Sequence, residues 1–363
     1  MNRFIKRSSN TTGQTTGGPV GQTAGQTSNQ TAGQSISKTI GKTSGPIALV
    51  MLTLGTITAN AQQNYPQRPI RMIVPFAAGG TTDTIGRFIA RDLGERLAQQ
   101  VVVENRGGGG GTLGSEVAAR SQADGYNILL ASAESFGMTD GILKRLNYNP
   151  EKDLAPVTMI SRAPNTFTIH PSVKASTIKE LIDFSRSNPG KLRYGSPGVG
   201  SNPHLIGELF KARYKLDITH VPYKGGGNGI VDVVSGEIEM ILTGINTAAP
   251  RVKAGQLRSL AITGSARSPQ LPGVPTMAEA GTDDFVLGAL FGVYVPGGTP
   301  AAPLTRLQRE LATIAGAPDF RNRLVELGQE PTETLQGEVF GKYMLAEARR
   351  WRDLARAAGV KDE

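Results

Sequence analysis

Arg71 to Asp83 reads RMIVPFAAGGTTD, and the fold follows from how this stretch is parsed. Ile70 to Val74 is a short apolar run of strand type. Ala77 to Gly80 is a loop of small residues, and Thr81, Thr82 and Asp83 are helix N-cap candidates. An amphipathic run follows, with Ile85, Phe88, Ile89, Leu93 and Leu97 on one face. The order is strand, glycine loop, helix N-terminus. Glycines let backbone approach a guest closely, and the free N–H groups of a first helical turn carry partial positive charge. An anion, most simply a carboxylate, is the expected guest. The same turn also occurs as plain architecture in α/β domains, so the stretch alone does not decide function.

The second half of the chain repeats this grammar. Ser176 to Ser187 is a predicted helix and Leu192 to Tyr194 a strand. Gly195 to Ser201 (GSPGVGS) is a glycine loop, and Pro203 to Tyr214 is a helix. Two such cradles, one per domain, suggest a ligand clamped at a domain interface. A third candidate is Val221 to Gly229, VPYKGGGNG, where Tyr223 offers an aromatic wall and Gly225 and Gly226 expose backbone N–H groups. Tyr126 to Ala131, with Ser132 and Ser135 following at its end, and Met240 to Thr243 are further strands, and ligands gather at such ends in parallel sheets. Arg106 to Gly111, RGGGGG, lacks the Gly-Lys-Ser/Thr ending of a phosphate loop and reads as a flexible lead into a helix over Leu113 to Arg120. A crossing between domains is placed near Arg162 to Asn165. Helices over Leu304 to Ala315, Pro318 to Leu327 and Gly337 to Ala358 are expected to finish the first domain.

Composition narrows the chemistry. The 363 residues suffice for two domains, and there is no cysteine for disulfides or thiol catalysis. Three unclustered histidines argue against a metal site, and nothing implies a cofactor. No G-x-S-x-G elbow or H-E-x-x-H motif is present. Ser201 and His204 could touch, but without an orienting acid they are no catalytic pair. Asp83 reads as a residue fixing its own loop, and His170 and His220 as structural.

Residues 1 to 61 are of another kind. Thr11 to Ser44 is Gly, Gln, Thr and Ser with near-repeats such as GQTAGQTSNQTAGQ. Ile47 to Thr58 is an apolar run of signal-peptide length, and Ala59-Asn60-Ala61 has the small-x-small form of a cleavage site. Cleavage after Ala61 would leave 302 residues and, with five basic residues gone, lower the net charge from +9 to +4. That charge is too mild to argue for nucleic acid or anionic membrane. An exported, periplasmic protein is expected.

Seven stretches, in order, resemble one known family: YPQRPIRMIVPFAAGGTTD, VVVENRGGGGGTLGSE, YNPEKDLAPVTMI, YGSPGVGSNPHLIGELF, ITHVPYKGGGNGIVDVVSGEIEM, VKAGQLRSLAITGSARSPQLPGVPTMAEAG and VPGGTPAA. Together they are similar to the periplasmic solute receptors of tripartite tricarboxylate transporters, the Bug-type receptors, across Tyr65 to Val360. The resemblance implies an α/β Venus flytrap, with a mostly parallel sheet in each of two domains and the ligand cleft between them. With the crossing near Arg162 to Asn165 and the strand Leu290 to Val295 returning, one domain is expected at 62–163 plus 289–363 and the other at 164–288. The resemblance also implies no enzymatic activity, capture of a small carboxylate and delivery to integral-membrane permease subunits; a monomer is expected. Signalling to a membrane sensor, or an enzyme acting on a carboxylate, are the alternatives. Carried onto this chain, the cradles are Phe76, Ala77, Gly79, Gly80, Thr81, Thr82 and Asp83; Ser132 and Ser135; Ser196, Gly198, Gly200, Ser201 and His204; and Tyr223, Gly225, Gly226 and Thr243. One departure bears on the guest. After Ala131 the chain reads SAESFGMTD where the family commonly has a Thr/Gly-rich stretch with His or Asn. A cleft-facing Glu134 would repel a second carboxylate and Phe136 would favour an apolar group, which makes a monocarboxylate or aromatic acid plausible. Pro203 before His204 is a further departure and would stiffen that loop.

Overall fold

The strand–loop–helix unit forms as its residues dictate, and its sheet is built outward from it. A computed structural model describes residues 65–137, 146–282 and 285–360, the side chains of Glu134 and Gly137 excepted. The expected signal peptide, its cleavage site and the Glu134 side chain therefore lie outside the described residues. Strands are β1 (Ile70–Val74), β2 (Val101–Asn105), β3 (Asn127–Ser132), β4 (Leu154–Ile169), β5 (Leu192–Ser196), β6 (Ile218–Pro222), β7 (Met240–Gly244), β8 (Arg258–Ile262), β9 (Gly288–Pro296) and β10 (Glu330–Pro331). Helices are α1 (Thr81–Leu97), α2 (Thr112–Ala119), α3 (Glu134–Gly137), α4 (Pro150–Asp153), α5 (Ile178–Ser187), α6 (Asn202–Tyr214), α7 (Gly226–Ser235), α8 (Ile245–Lys253), α9 (Ala301–Gly316), α10 (Pro318–Glu326) and α11 (Gly337–Ala357).

Each lobe has a parallel core of three strands. In the first, β1 lies between β2 and β3; in the second, β5 lies between β6 and β7. Antiparallel strands close each set. β9 joins β3 to β4 in the first lobe, and β4 and β8 flank the second. Thus β4 belongs to both sheets: Pro164 pairs with Gly288 of the first, and the next residue, Asn165, with Gly244 of the second. The sequence suggests two short strands broken at Ala163-Pro164-Asn165, but one strand of 16 residues runs through. Proline lacks only the donor, and a strand changing partners at that point tolerates the loss.

Helices cover both faces of both sheets. On α1, Ile85, Ile89, Leu93 and Leu97 are buried, as the 3.6-residue period requires, and pack with Met72, Leu130 and Phe291. On the other face Phe136, Tyr148, Tyr294 and Phe340 form a separate cluster. In the second lobe α5 and α6 pack Leu181, Ile206 and Phe210 against Phe167 and Tyr194, and α7 and α8 cover the opposite face. The C-terminal helix departs from expectation. Phe340 and Met344 of α11 are buried in the first lobe, but Trp351, Ala355 and the following Val360 are buried in the core of the second. The span 289–363 is therefore not confined to one lobe; α11 straps the two together.

Candidate functional site

Loops at the strand ends of the two lobes meet face to face. The Phe76–Gly80 loop is fastened by Asn105 at the end of β2, whose Nδ2 donates to the Phe76 carbonyl and to Asp83 Oδ1, both at 3.0 Å. Helix α1 starts at Thr81 with Gly80 as its N-cap, so Asp83 is a third-position residue and not the cap. Its carboxylate reaches back to accept from the Gly79 N–H and from Arg87 Nε, each at 3.0 Å. Burial pushes this carboxyl upward, but the bonds from Arg87, Gly79 and Asn105 outweigh it and hold it below the ordinary range. Asp83 fixes its own loop, and of the predicted ligand contacts it is one with its donors already supplied.

Several contacts carry the first lobe onto the second. The Ala77 N–H donates to the Lys224 carbonyl at 3.2 Å. Thr81 Oγ1 donates to Asn246 Oδ1 at 2.7 Å. A Cβ on Gly227 would stand 3.2 Å from the Ala78 carbonyl, and one on Gly225 would stand 3.0 Å from Ala77 Cβ. Gly110 lies against the backbone of Val199 and Ser201, and Ser135 Oγ donates to the Gly110 carbonyl at 3.3 Å. Ser132 and Ser135 bond each other at 3.1 Å, and the Phe76 ring packs under Gly111. The Gly107–Gly111 loop, read from sequence as a flexible lead, is thus part of the junction.

These contacts gather helix N-termini. The starts of α1, α7 and α8 meet where Thr81 touches Asn246 and where Gly227 touches the Ala78–Gly79 backbone; the start of α6 faces Gly110. Gly80 is buried, yet a Cβ built there would meet only the Ala77 carbonyl oxygen, at 3.7 Å. Its φ of −87° and ψ of 176° suit any residue. Space thus adjoins the N-terminus of α1 that the chain itself does not fill. Gly226 is pressed on buried Thr243, and Thr82 is buried in the first turn of α1.

The second-lobe loop is held from below. Ser201 caps α6 by accepting from the His204 N–H, at 3.4 Å, and Pro203 sits in the first turn as a helix start tolerates. His204 Nδ1 accepts from the Gly200 N–H at 3.1 Å. Ser196 Oγ bonds His220 Nε2 at 2.7 Å and also the Gly198 N–H at 3.1 Å, so it serves the loop's shape. Burial pushes the His220 imidazole down to about 4; Glu208 opposes this and Lys211 adds to it. The unfolded chain accordingly binds a proton between pH 6.5 and about 4 that the folded chain refuses. Stability is expected to fall as pH falls through that window, by at most on the order of 3 kcal/mol, and to fall less in His220→Gln. Thermal melts at pH 7 and pH 5 check this; equal slopes for both proteins would contradict it.

Two predicted contacts turn elsewhere. Tyr223 Oη donates to Asp232 Oδ2 at 2.6 Å, and its ring packs on Gly195 and Gly229 inside the second lobe. Burial, with that bond, raises its phenol. It shapes the loop and is no cleft wall. Phe136 meets Tyr294 edge-on, ring centroids 5.0 Å apart, in the first-lobe core, so its expected apolar influence on a guest is withdrawn. Conversely, sequence reasoning missed Asn165, Asn202 and Asn246. Asn165 Nδ2 donates to Asn202 Oδ1, and Asn202 Nδ2 is buried without a protein partner. An Asn beside a capping Ser and an Asn opening α8 were the available signals. Among the described residues no group of His, Asp and Glu could hold a metal, and no helix is long and apolar enough to cross a membrane.

The model of the tripartite tricarboxylate transporter family receptor matches residues 85–360. The chain belongs to this receptor family. Protein BugT of Bordetella pertussis is 34% identical over 316 residues, covering 87% of this chain and 97% of its own. A Rhodopseudomonas palustris protein solved with adipate, Rpa4515, superimposes with a TM-score of 0.78 at 33% identity, over 82% of this chain and 100% of that one. MatC of the same species, solved with bound malate, gives 0.73 at 28% identity, over 80% and 99%. The fold is the two-lobed α/β Venus flytrap of periplasmic binding proteins, and the family is one of substrate receptors, not of enzymes. The junction of loops described above lies between the two lobes of that fold.

Proposed function

We propose that this receptor captures a small carboxylate between its lobes in the periplasm and delivers it to the membrane subunits of a tripartite tricarboxylate-type transporter. The observation that carries the proposal is the convergence of helix N-termini from both lobes: α1 from the first, α6, α7 and α8 from the second. Each offers unsatisfied N–H groups and about half a positive charge. The starts of α1, α7 and α8 form one group, and α6 with the Asn202 amide forms another. That favours a guest with two acceptor ends, and the relatives solved with adipate and malate support a dicarboxylate. Export with cleavage after Ala61, a monomeric state, and domain limits at 62–163 and 164–288, with the end of α11 attached to the second, belong to the same proposal.

A thermal-shift screen with adipate, malate, a monocarboxylate and an aromatic acid tests it. A ligand at a hundred times its Kd stabilises the fold by about 2.7 kcal/mol. The dicarboxylates are expected to raise Tm most; no shift with any acid would sink the carboxylate assignment. Gly80→Val is expected to fold normally, because its backbone geometry suits valine. It should weaken the acid by about ten- to hundredfold by filling the space at the α1 N-terminus. Unchanged affinity would remove that loop from the site. Delivery is checked by uptake of the same acid in cells lacking the receptor.

A further inference from the structure

One buried amide at the lobe junction has a donor left to give. Asn202 is the first residue of α6 and is 3% exposed, and its Nδ2 is buried without a protein partner. The other end of the amide is engaged, since Oδ1 accepts from Asn165 Nδ2. Asn165 is itself held at both backbone groups. Its N–H donates to Thr263 Oγ1 at 2.9 Å, and its carbonyl accepts from the Thr263 N–H at 2.8 Å. It follows Pro164, where β4 passes between the lobes, and pairs with Gly244, the N-cap of α8, against which Thr81 Oγ1 of the first lobe lies. The bond between the two asparagines therefore links the neighbourhood of the α8 start to the start of α6. Turning the Asn202 amide over would set its NH2 against that of Asn165, so the clamp decides which end stays free.

We propose that Asn202, held by Asn165, reads the far carboxylate of the guest and makes this receptor select a diacid over a monoacid of the same chain length. This rests on the carboxylate reading above. The start of α6 has few other donors to offer. The Ser201 N–H is bonded to the Gly198 carbonyl, Pro203 has none, and the His204 N–H is taken by the Ser201 cap. What remains is the backbone N–H and the side-chain amide of Asn202. A buried donor left without an acceptor is costly, and a carboxylate oxygen is a strong, charge-assisted acceptor. Closing the lobes over a monoacid sets a methyl group against this amide and leaves the cost standing. Closing over a diacid removes it. Because the amide is uncharged, it rewards the acceptor without the cost of desolvating a cation first.

Calorimetric titration at neutral pH tests the proposal with two matched pairs of acids, adipate with hexanoate and malate with α-hydroxybutyrate. Within each pair only the far carboxylate is exchanged for a methyl group. Wild type is expected to bind a diacid about ten- to a hundredfold more tightly than its monoacid. Asn202→Ala should cut that ratio by about tenfold, while the affinity for the monoacid stays near that of wild type. A general loss of structure would weaken both acids alike. Asn202→Asp keeps the acceptor that Asn165 needs and suits a helix start, but it turns the free donor into a carboxylate oxygen. It should abolish the preference for the diacid altogether. Melts of the ligand-free variants check that each folds, and Asn202→Asp decides alone if the alanine variant does not. A wild type that binds both members of a pair equally, or a preference unchanged in the variants, would overturn the proposal and leave the carboxylate assignment standing. A wild type that binds none of the four acids would overturn both.

Discussion

Gly110→Ala is expected to leave both lobes folded and to prevent them from closing. The residue has φ +60°, and an added Cβ would stand 2.2 Å from the Val199 carbonyl oxygen and 2.7 Å from the Ser201 nitrogen. Both are backbone atoms of the opposite lobe, which no rotamer change can move aside. Left-handed backbone adds on the order of 1–2 kcal/mol for a residue with a Cβ. The clash is relieved by parting the lobes, and a guest then keeps the contacts of one lobe only. For a micromolar ligand, bound by about 8 kcal/mol, losing half of that costs about a thousandfold in Kd. Calorimetry should show the loss, and solution scattering should show no ligand-induced compaction. Wild-type affinity in this variant would mean that the Gly107–Gly111 loop does not take part in closure.

Trp351→Ala carries the largest expected effect on stability. The indole is fully buried in the second-lobe core, on a helix whose earlier residues Phe340 and Met344 are anchored in the first. Emptying its site costs about 3–5 kcal/mol. That corresponds to a drop in Tm on the order of 10 °C for a chain of this size. Trp351→Phe should recover much of the loss, because it keeps most of the apolar volume. A variant that melts with wild type would show that the end of α11 does not hold the second lobe.

Local pattern made much of this legible. The apolar period of α1, the capping Ser201, and the strand–loop–helix order in both lobes are properties of neighbouring residues, and each formed where those residues required. What stayed hidden depends on partners far along the chain. The glycines at 107–111 carry no local instruction; their role is set by Lys224 and Val199, about 90 or more residues away. Whether Phe136 faces a core or a cleft is decided by Tyr294, and whether Tyr223 lines a wall is decided by Asp232. Asp83 was legible in role but displaced in position, since the cap is a glycine with no side chain to signal it. The strand β4 survives Pro164 because its hydrogen-bonding partners change there, which no window of sequence records.

The convergence of helix starts also governs how a guest arrives. Among the described residues the loops at the junction present amide groups; Asp83 is spent on its own loop and Arg106 on Glu104, while the Lys224 side chain stands exposed to solvent. A field made by fixed amide dipoles fades within about a helical turn, whereas free cations would reach across a Debye length of about 8 Å. Capture should therefore begin with no more steering than one exposed lysine supplies, and its rate should fall only weakly as ionic strength rises. Discrimination is then left to the last few ångströms, where the spacing between the amide clusters measures the distance between the ends of the guest.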